Sequence, residues 1–169
     1  MAKITIYKDV NYGGRSLEFT YPISNLTNED FNDQASSCKV ESGIWILYKD
    51  VDFGNDYTIL KPGNYADAGA MGLSNDSLSS LRPLPDSGIC LFRDINFGAR
   101  MVTLTGAESN FKNIDFNDQV SSAIVISGTW NLYEDVSFKG TKWTLNVGEY
   151  KTPQEGGFSN DKISSAKPN

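Results

Sequence analysis

Four copies of one oxygen-rich pattern carry the chemistry available to this chain. Asn-Asp-x-x-Ser-Ser occurs at Asn32–Ser37, Asn75–Ser80, Asn117–Ser122 and Asn160–Ser165, spaced 43, 42 and 43 residues apart. Each copy offers a carboxylate, an amide and two hydroxyls within six residues. Hard cations such as calcium take six to eight oxygen ligands and tolerate irregular geometry, so this donor set suits them. Magnesium demands tight octahedral geometry and sheds water reluctantly, so it competes poorly. Zinc is excluded on ligand grounds, because the chain has no histidine and only two cysteines, Cys38 and Cys90, far apart in sequence. A competing reading is purely architectural, since Asn, Asp and Ser bond to nearby backbone and close corners. Four intact copies, none with a basic residue in the fifth position, tip the balance toward binding.

Catalysis finds little support. There is no histidine base, and neither cysteine has a histidine partner. Asp9, Asp50, Asp94 and Asp135 recur in every repeat, which suits turn chemistry rather than a catalytic pair placed once. The chain is therefore expected not to be an enzyme.

The loops must be held by something that repeats with them. The chain has 169 residues, and shifting it by 85 superposes the first copy on the third and the second on the fourth. Such periods mean reuse of one supersecondary unit. About 85 residues can just close a core of their own, so two domains are expected. Each repeat opens with alternation that fits a half-buried strand, as in Ile4-Thr5-Ile6-Tyr7 or Ile44-Trp45-Ile46-Leu47. An Asp-bearing turn follows, bracketed by two aromatics five residues apart: Tyr7 and Tyr12, Tyr48 and Phe53, Phe92 and Phe97, Tyr133 and Phe138. This reads as a hairpin whose two ring faces pack together. A second strand, a less regular third segment, the polar loop and a short last strand complete the unit. Four strands per unit, many turns and no convincing helical period indicate an all-β sandwich. Residues 67–72 and 152–157 have room for one helical turn each. Trp45, Trp130, Gly63-Asn64-Tyr65 and Gly148-Glu149-Tyr150 occur only in the second and fourth repeats, the latter pair reading as turns. The order is thus A-B-A-B, and an A–B pair forms one domain. A stretch with two prolines, Pro83 and Pro85, reads as an extended connection between the domains.

Bulk composition bounds the partners. Hydrophobic residues make up 39 % and the longest apolar run is only a few residues, so the chain is neither disordered nor a membrane span. The formal net charge is −6, and its 15 basic residues are scattered, which argues against a nucleic-acid surface. The cysteines do not follow the duplication, so each is expected to be a small buried residue rather than half of a disulfide framework. The first residues enter an alternating pattern with no apolar leader, and a cytoplasmic setting is expected.

Tyr7-x4-Tyr12-x-Gly14 followed by Asn32-Asp33-x-x-Ser36-Ser37 resembles the Greek-key motif of the βγ-crystallin superfamily. The resemblance covers essentially the whole chain, four times in register. The intact loops are closer to its two-domain calcium-binding invertebrate and microbial members, the sponge crystallins among them, than to lens proteins. It implies two tandem domains, each a two-sheet sandwich of two Greek keys: residues 1–83 (motifs 1–41 and 42–83), a linker at 84–87, and residues 88–169 (motifs 88–126 and 127–169). It also implies two calcium sites per domain, each shared by both motifs. Asp33, Asp76, Asp118 and Asp161 would give carboxylate oxygen. Gln34, Ser77, Gln119 and Lys162 would give a backbone carbonyl, and Ser36, Ser79, Ser121 and Ser164 a hydroxyl. A further carbonyl is expected from the hairpin near Val10, Val51, Ile95 and Val136. These fall short of a full shell, so water completes it, and affinity is expected in the micromolar range or weaker.

Two departures bear on the sites. The motif glycine is Gly14 and Gly140, but Asn55 and Ala99 in the second and third repeats. If φ must be positive there, Ala resists it, so the Ile95 hairpin is expected to be strained or rearranged. The Lys162 ammonium beside the fourth loop is expected to weaken that site unless it turns to solvent. The expected function is a stable, soluble structural or stress-type crystallin that binds Ca2+, a monomer or domain-paired dimer, with no nucleic-acid or membrane partner. The alternative is a lectin- or inhibitor-like module binding carbohydrate or protein on the same fold, for which the non-recurring Trp143 is the candidate contact.

Overall fold

A computed structural model describes residues 1–54 and 56–169. Asn55, one of the two residues replacing the motif glycine, lies outside the described residues. The chain divides into two compact units, Met1–Leu84 and Pro85–Asn169.

The first unit contains β1 (Lys3–Tyr7), β2 (Ser16–Phe19), β3 (Ser37–Ser42), β4 (Trp45–Tyr48), β5 (Tyr57–Leu60), β6 (Gly63–Tyr65) and β7 (Ser80–Pro83). They form two antiparallel sheets, ordered β2-β1-β3-β6 and β5-β4-β7. Strand alternation sets the packing: Ile4 faces Phe19 and Val40, and Ile6 faces Leu17 and Cys38 across the ladder. These side chains meet Trp45, Leu47, Leu60 and Leu81 of the other sheet in one core. The second unit repeats the plan with β8 (Ile89–Phe92), β9 (Met101–Leu104), β10 (Ser122–Val125), β11 (Trp130–Asp135), β12 (Lys139–Leu145), β13 (Gly148–Tyr150) and β14 (Ser165–Pro168). Its sheets are ordered β13-β10-β8-β9 and β12-β11-β14, around Ile89, Leu91, Trp130, Leu132 and Leu145.

The two motifs of a unit exchange their third segments. Strand β6 belongs to the second motif but pairs with β3 of the first. In return Ile23 of the first motif bridges to Leu81 in β7, with N–H···O distances of 2.8 and 3.0 Å. Glu108 and Ala166 do the same in the second unit. The third segment of an A motif is thus reduced to a single bridge. The Gly-x-Tyr segments, expected as turns, are short strands instead, because their backbone completes a sheet edge. Tyr65 and Tyr150 tie the preceding chain, donating to the carbonyls of Lys61 (2.8 Å) and Asn146 (2.9 Å). Neither motif closes its sandwich alone, which is why the duplicated unit is the pair.

The helical turns expected near residues 67–72 and 152–157 are α1 (Ala68–Met71) and α2 (Pro153–Gly156). Asp67 and Thr152 cap their starts, and Gly72 and Gly157 end them at φ 74° and 69°, where a Cβ would be strained. A motifs hold a 3₁₀ turn instead, Leu26–Glu29 and Phe111–Ile114, capped by Asn25 and Asn110 and anchored by buried Leu26 and Phe111. Sequence periodicity missed them, since one short turn has no period to detect.

Trp45 and Trp130 are core residues, each donating its indole N–H to a main-chain carbonyl, Ser42 at 3.3 Å and Ser127 at 3.2 Å. Trp143 is half-buried and packs on the core of the second unit, so it does not stand free as a surface contact. Cys38 and Cys90 are buried and form no disulfide. Burial, with Glu41 nearby, pushes the Cys38 thiol up to about 12, so it stays a protonated, unreactive packing group.

Candidate functional site

Each polar loop is welded to its own hairpin by the last serine of the motif. Ser37 Oγ donates to the Asp9 carbonyl (2.6 Å) and accepts from the Tyr12 N–H (3.0 Å). Ser80, Ser122 and Ser165 make the same pair of bonds with Asp50 and Phe53, Asp94 and Phe97, and Asp135 and Phe138. The fifth-position serine adds a main-chain bond, its N–H donating to the carbonyl of Tyr7, Tyr48, Phe92 or Tyr133 at 2.9–3.0 Å. No role for the sixth position emerges from sequence reasoning, although its fourfold recurrence was visible.

These bonds hold backbone that would otherwise be costly. Two consecutive residues in each hairpin have φ near +60°, and the second is always aromatic: Tyr12, Phe53, Phe97 and Phe138. Bulky residues rarely occupy this region. The aromatic pairs meet at 5.4–5.8 Å between centroids, three edge to face and Phe92–Phe97 tilted. The rings therefore do not stack face on face, as the sequence led one to expect; the left-handed corner turns one ring across the other, which also suits their quadrupoles. Lys39 over Tyr12 (4.5 Å), Arg82 over Phe53 (4.3 Å) and Lys167 over Phe138 (4.8 Å) cover three pairs with a cation. The third repeat has Ile124 at that position.

The Ala99 hairpin is not rearranged. Asn96, Phe97 and Ala99 have φ of 55°, 58° and 56°, matching Asn11, Tyr12 and Gly14 at 52°, 63° and 72°. The surrounding bonds also match: Asp94 N–H reaches the Gly98 carbonyl at 3.3 Å, as Asp9 does Gly13 at 3.1 Å. Ala99 keeps a left-handed conformation that disfavours a Cβ by about 1–2 kcal/mol, partly offset by glycine's freer unfolded chain. Ala99→Gly is expected to stabilise the second unit by about 0.5–1 kcal/mol. Gly14→Ala should cost more than that, because its Cβ would stand 2.7 Å from Asp9 Oδ2. Urea denaturation of both variants checks the opposite signs.

In each loop the leading asparagine fixes the aspartate. Asn32, Asn75, Asn117 and Asn160 donate Nδ2–H to Oδ2 of the next residue at 2.6–2.7 Å. All four aspartates have φ of 52–53°, which Asp tolerates better than most residues. In three of the loops Oδ1 points across to the partner motif. Ser79 Oγ lies 3.3 Å from Asp33 Oδ1, Ser36 Oγ 3.3 Å from Asp76 Oδ1, and Ser164 Oγ 3.3 Å from Asp118 Oδ1. Main-chain bonds pair the loops as well, from Asp33 N–H to Leu78 O, Asp118 N–H to Ile163 O, and Asp161 N–H to Val120 O. Carboxylate and hydroxyl thus come together from different motifs, and a one-dimensional reading of each loop cannot show that pairing.

Two polar clefts open at these loops. One, of about 250 Å³, is lined by Lys8, Asp9, Asp33, Gln34, Ser36 and Asp76. The other, of about 290 Å³, is lined by Arg93, Asp94, Asp118, Gln119, Ser121 and Asp161. The hairpin lines them with residues one and two positions before Val10 and Ile95. The Val10 and Ile95 carbonyls accept the N–H of Gly13 and Gly98 at 3.3 Å inside the turn, and their side chains are about half exposed, as are those of Val51 and Val136. Ser77 turns its hydroxyl to the Ser74 carbonyl at 2.7 Å. Among the described residues no group of three His, Cys, Asp or Glu side chains is close enough to hold a metal ion by itself, so a cation here would depend on serine and main-chain oxygens as well.

The comparisons with known proteins agree with this architecture. The sequence profile of the Beta/Gamma crystallin family matches residues 3–84 and 88–168. The chain is a beta/gamma crystallin. It is 32 % identical to human Gamma-crystallin D over 99 % of this chain and 97 % of that one, and 31 % identical to Beta-crystallin B3 of Bos taurus over 98 % and 81 %. Among solved structures it is similar to the sponge protein Geodin, a beta-gamma crystallin from Geodia cydonium, with a TM-score of 0.79, 25 % identity and 99 % of both chains covered.

One site of this crystallin is charged differently from the rest. The residue after the first hairpin aromatic is Lys8, Lys49 and Arg93 in three motifs but Glu134 in the fourth. Lys162 Nζ lies 3.9 Å from Glu134 Oε1. The Thr141 hydroxyl at 2.6 Å, and Lys162 to a lesser degree, hold the Glu134 carboxyl below the usual carboxylate range. The Lys162 ammonium thus has a local counter-charge on its own hairpin.

Proposed function

We propose that this crystallin binds Ca2+ at its paired loops and is a stable, soluble, non-enzymatic structural protein of a cytoplasmic setting, stabilised by the ion. The observation that carries the reading is the 3.3 Å spacing of serine hydroxyl and aspartate oxygen across the motifs. A hydroxyl donating to a carboxylate normally closes to about 2.5–2.7 Å. Two oxygens bound side by side to one calcium, at about 2.3–2.6 Å each, stand roughly 2.8–3.7 Å apart. The observed spacing is long for the first and right for the second.

A further feature supports the reading. Asn32 Oδ1 and Asn117 Oδ1 are buried beside the loops with no hydrogen-bond donor, an arrangement native proteins rarely leave. A hydrated cation would bring the donor. The residues that would hold the ion are the aspartates and fifth-position serines, with main-chain oxygen from the third position and the hairpin, and water for the rest. Bound there, the ion would neutralise facing carboxylates and lock the two motifs together. The binding-module alternative gains no added support from Trp143, which is partly buried against the core of the second unit.

Titration calorimetry of the chelator-stripped chain tests the reading. Calcium is expected to give saturable heat in the micromolar range or weaker, and magnesium at the same concentration none. No calcium heat would make the loops architectural.

A further inference from the structure

The hairpins present something that the loops alone do not. Of the seven large hydrophobic side chains exposed among the described residues, four are equivalent residues at the hairpin tips: Val10 (51 %), Val51 (41 %), Ile95 (51 %) and Val136 (41 %). Turn chemistry calls for Asp, Asn, Gly or Pro at such places, not a β-branched aliphatic. In three of the four motifs the tip completes a basic-Asp-aliphatic triplet: Lys8-Asp9-Val10, Lys49-Asp50-Val51 and Arg93-Asp94-Ile95. Lys8 and Arg93 are exposed, and each lines a polar cleft with three carboxylates. Within one unit both hairpins are tied to the same loop pair, through Ser37 and Ser80 in the first and Ser122 and Ser165 in the second. The two tips therefore flank the cation-binding end of their own unit.

We propose that this end of each unit docks, once calcium fills the loops, on a bilayer surface that carries anionic phospholipid. The inference rests on the calcium reading. With the ion absent, the aspartates repel lipid phosphate and carboxylate. Calcium held by Asp33 and Asp76, or by Asp118 and Asp161, would cancel that repulsion and would offer a positive charge to an anionic headgroup. Lys8 and Arg93 add contacts to phosphate, and the aliphatic tips enter the headgroup boundary. Protruding single side chains suit a deformable lipid surface better than a protein partner, which would need a contiguous patch of several hundred Å². This revises the expectation of no membrane partner for surface adhesion; no helix among the described residues is long and apolar enough to span a bilayer.

Co-sedimentation with vesicles tests it. The full chain is mixed with phosphatidylcholine vesicles, or with vesicles in which about a third of the lipid is phosphatidylserine, in calcium, magnesium or chelator. Binding is expected only with phosphatidylserine and calcium together. A double variant (Lys8→Gln, Arg93→Gln), whose side chains are not among the calcium ligands, should lose at least fivefold in vesicle affinity while titration calorimetry still shows calcium bound. Val10→Leu with Ile95→Leu should retain vesicle binding. Calcium heat without vesicle binding would overturn the docking proposal and leave the calcium reading intact, as would a double variant that binds vesicles like the parent. Absence of calcium heat would overturn both.

Discussion

Replacing Ser37 by alanine lowers the stability of the first unit by about 2–4 kcal/mol in chelator, whereas Ser36→Ala costs less than about 1 kcal/mol. The hydroxyls are neighbours in sequence but differ in duty. Ser37 is fully buried and answers two main-chain groups, the Asp9 carbonyl at 2.6 Å and the Tyr12 N–H at 3.0 Å. Alanine strands both, and each buried group left unanswered costs about 1–3 kcal/mol. Tyr12 also loses one of the contacts that hold its φ of 63°. Ser36 Oγ has one long bond, 3.3 Å to Asp76, so little is lost without calcium. Against a typical total of about 5–15 kcal/mol, the first change is severe. Urea denaturation in chelator measures both, and equal costs would contradict the assignment of the sixth position as the strut and the fifth as a ligand.

Ser36→Arg is expected to abolish the calcium stabilisation of one site in the first unit while leaving the second unit responsive. The substitution removes the Ser36 Oγ that lies 3.3 Å from Asp76 Oδ1, a proposed ligand, and brings a guanidinium into the same loop. That cation answers the carboxylate permanently, and calcium then has both a lost ligand and a like charge to overcome. A ligand at 100 times its dissociation constant stabilises the folded state by about 2.7 kcal/mol per independent site. This is the amount the variant forfeits on adding calcium. Ser121→Arg should do the same in the second unit. A Ser36→Arg protein with the full calcium shift would place the ion elsewhere.

Much of this was legible from spacing. Alternation placed the strands of Ile4 and Ile6, the 85-residue shift separated two units, and Asp67, Gly72, Thr152 and Gly157 marked two short helical turns. What was not legible depends on pairing across sequence. No local pattern says that β6 leaves its own motif for β3, because the driving contact is a sheet edge supplied more than twenty residues earlier. The site has the same limit. Asp33 and Ser79, or Asp76 and Ser36, are ordinary turn residues until the loops are brought together. The strut role of Ser37 was hidden because its partners are main-chain atoms, which sequence does not display. Ala99 shows the converse: its mismatch with a positive φ was readable, but the neighbouring ring pair and the Ser122 bonds over-determine the corner and keep it in place.

Thermal unfolding of the unmodified chain, in excess chelator and in millimolar calcium with magnesium as control, tests the central claim most directly. Binding at the paired loops predicts a midpoint several degrees higher in calcium alone, with about 2.7 kcal/mol added per site at 100 times the dissociation constant. Identical midpoints in chelator and calcium would contradict it, and the four Asn-Asp-x-x-Ser-Ser loops would then be the corners of a sandwich and nothing more.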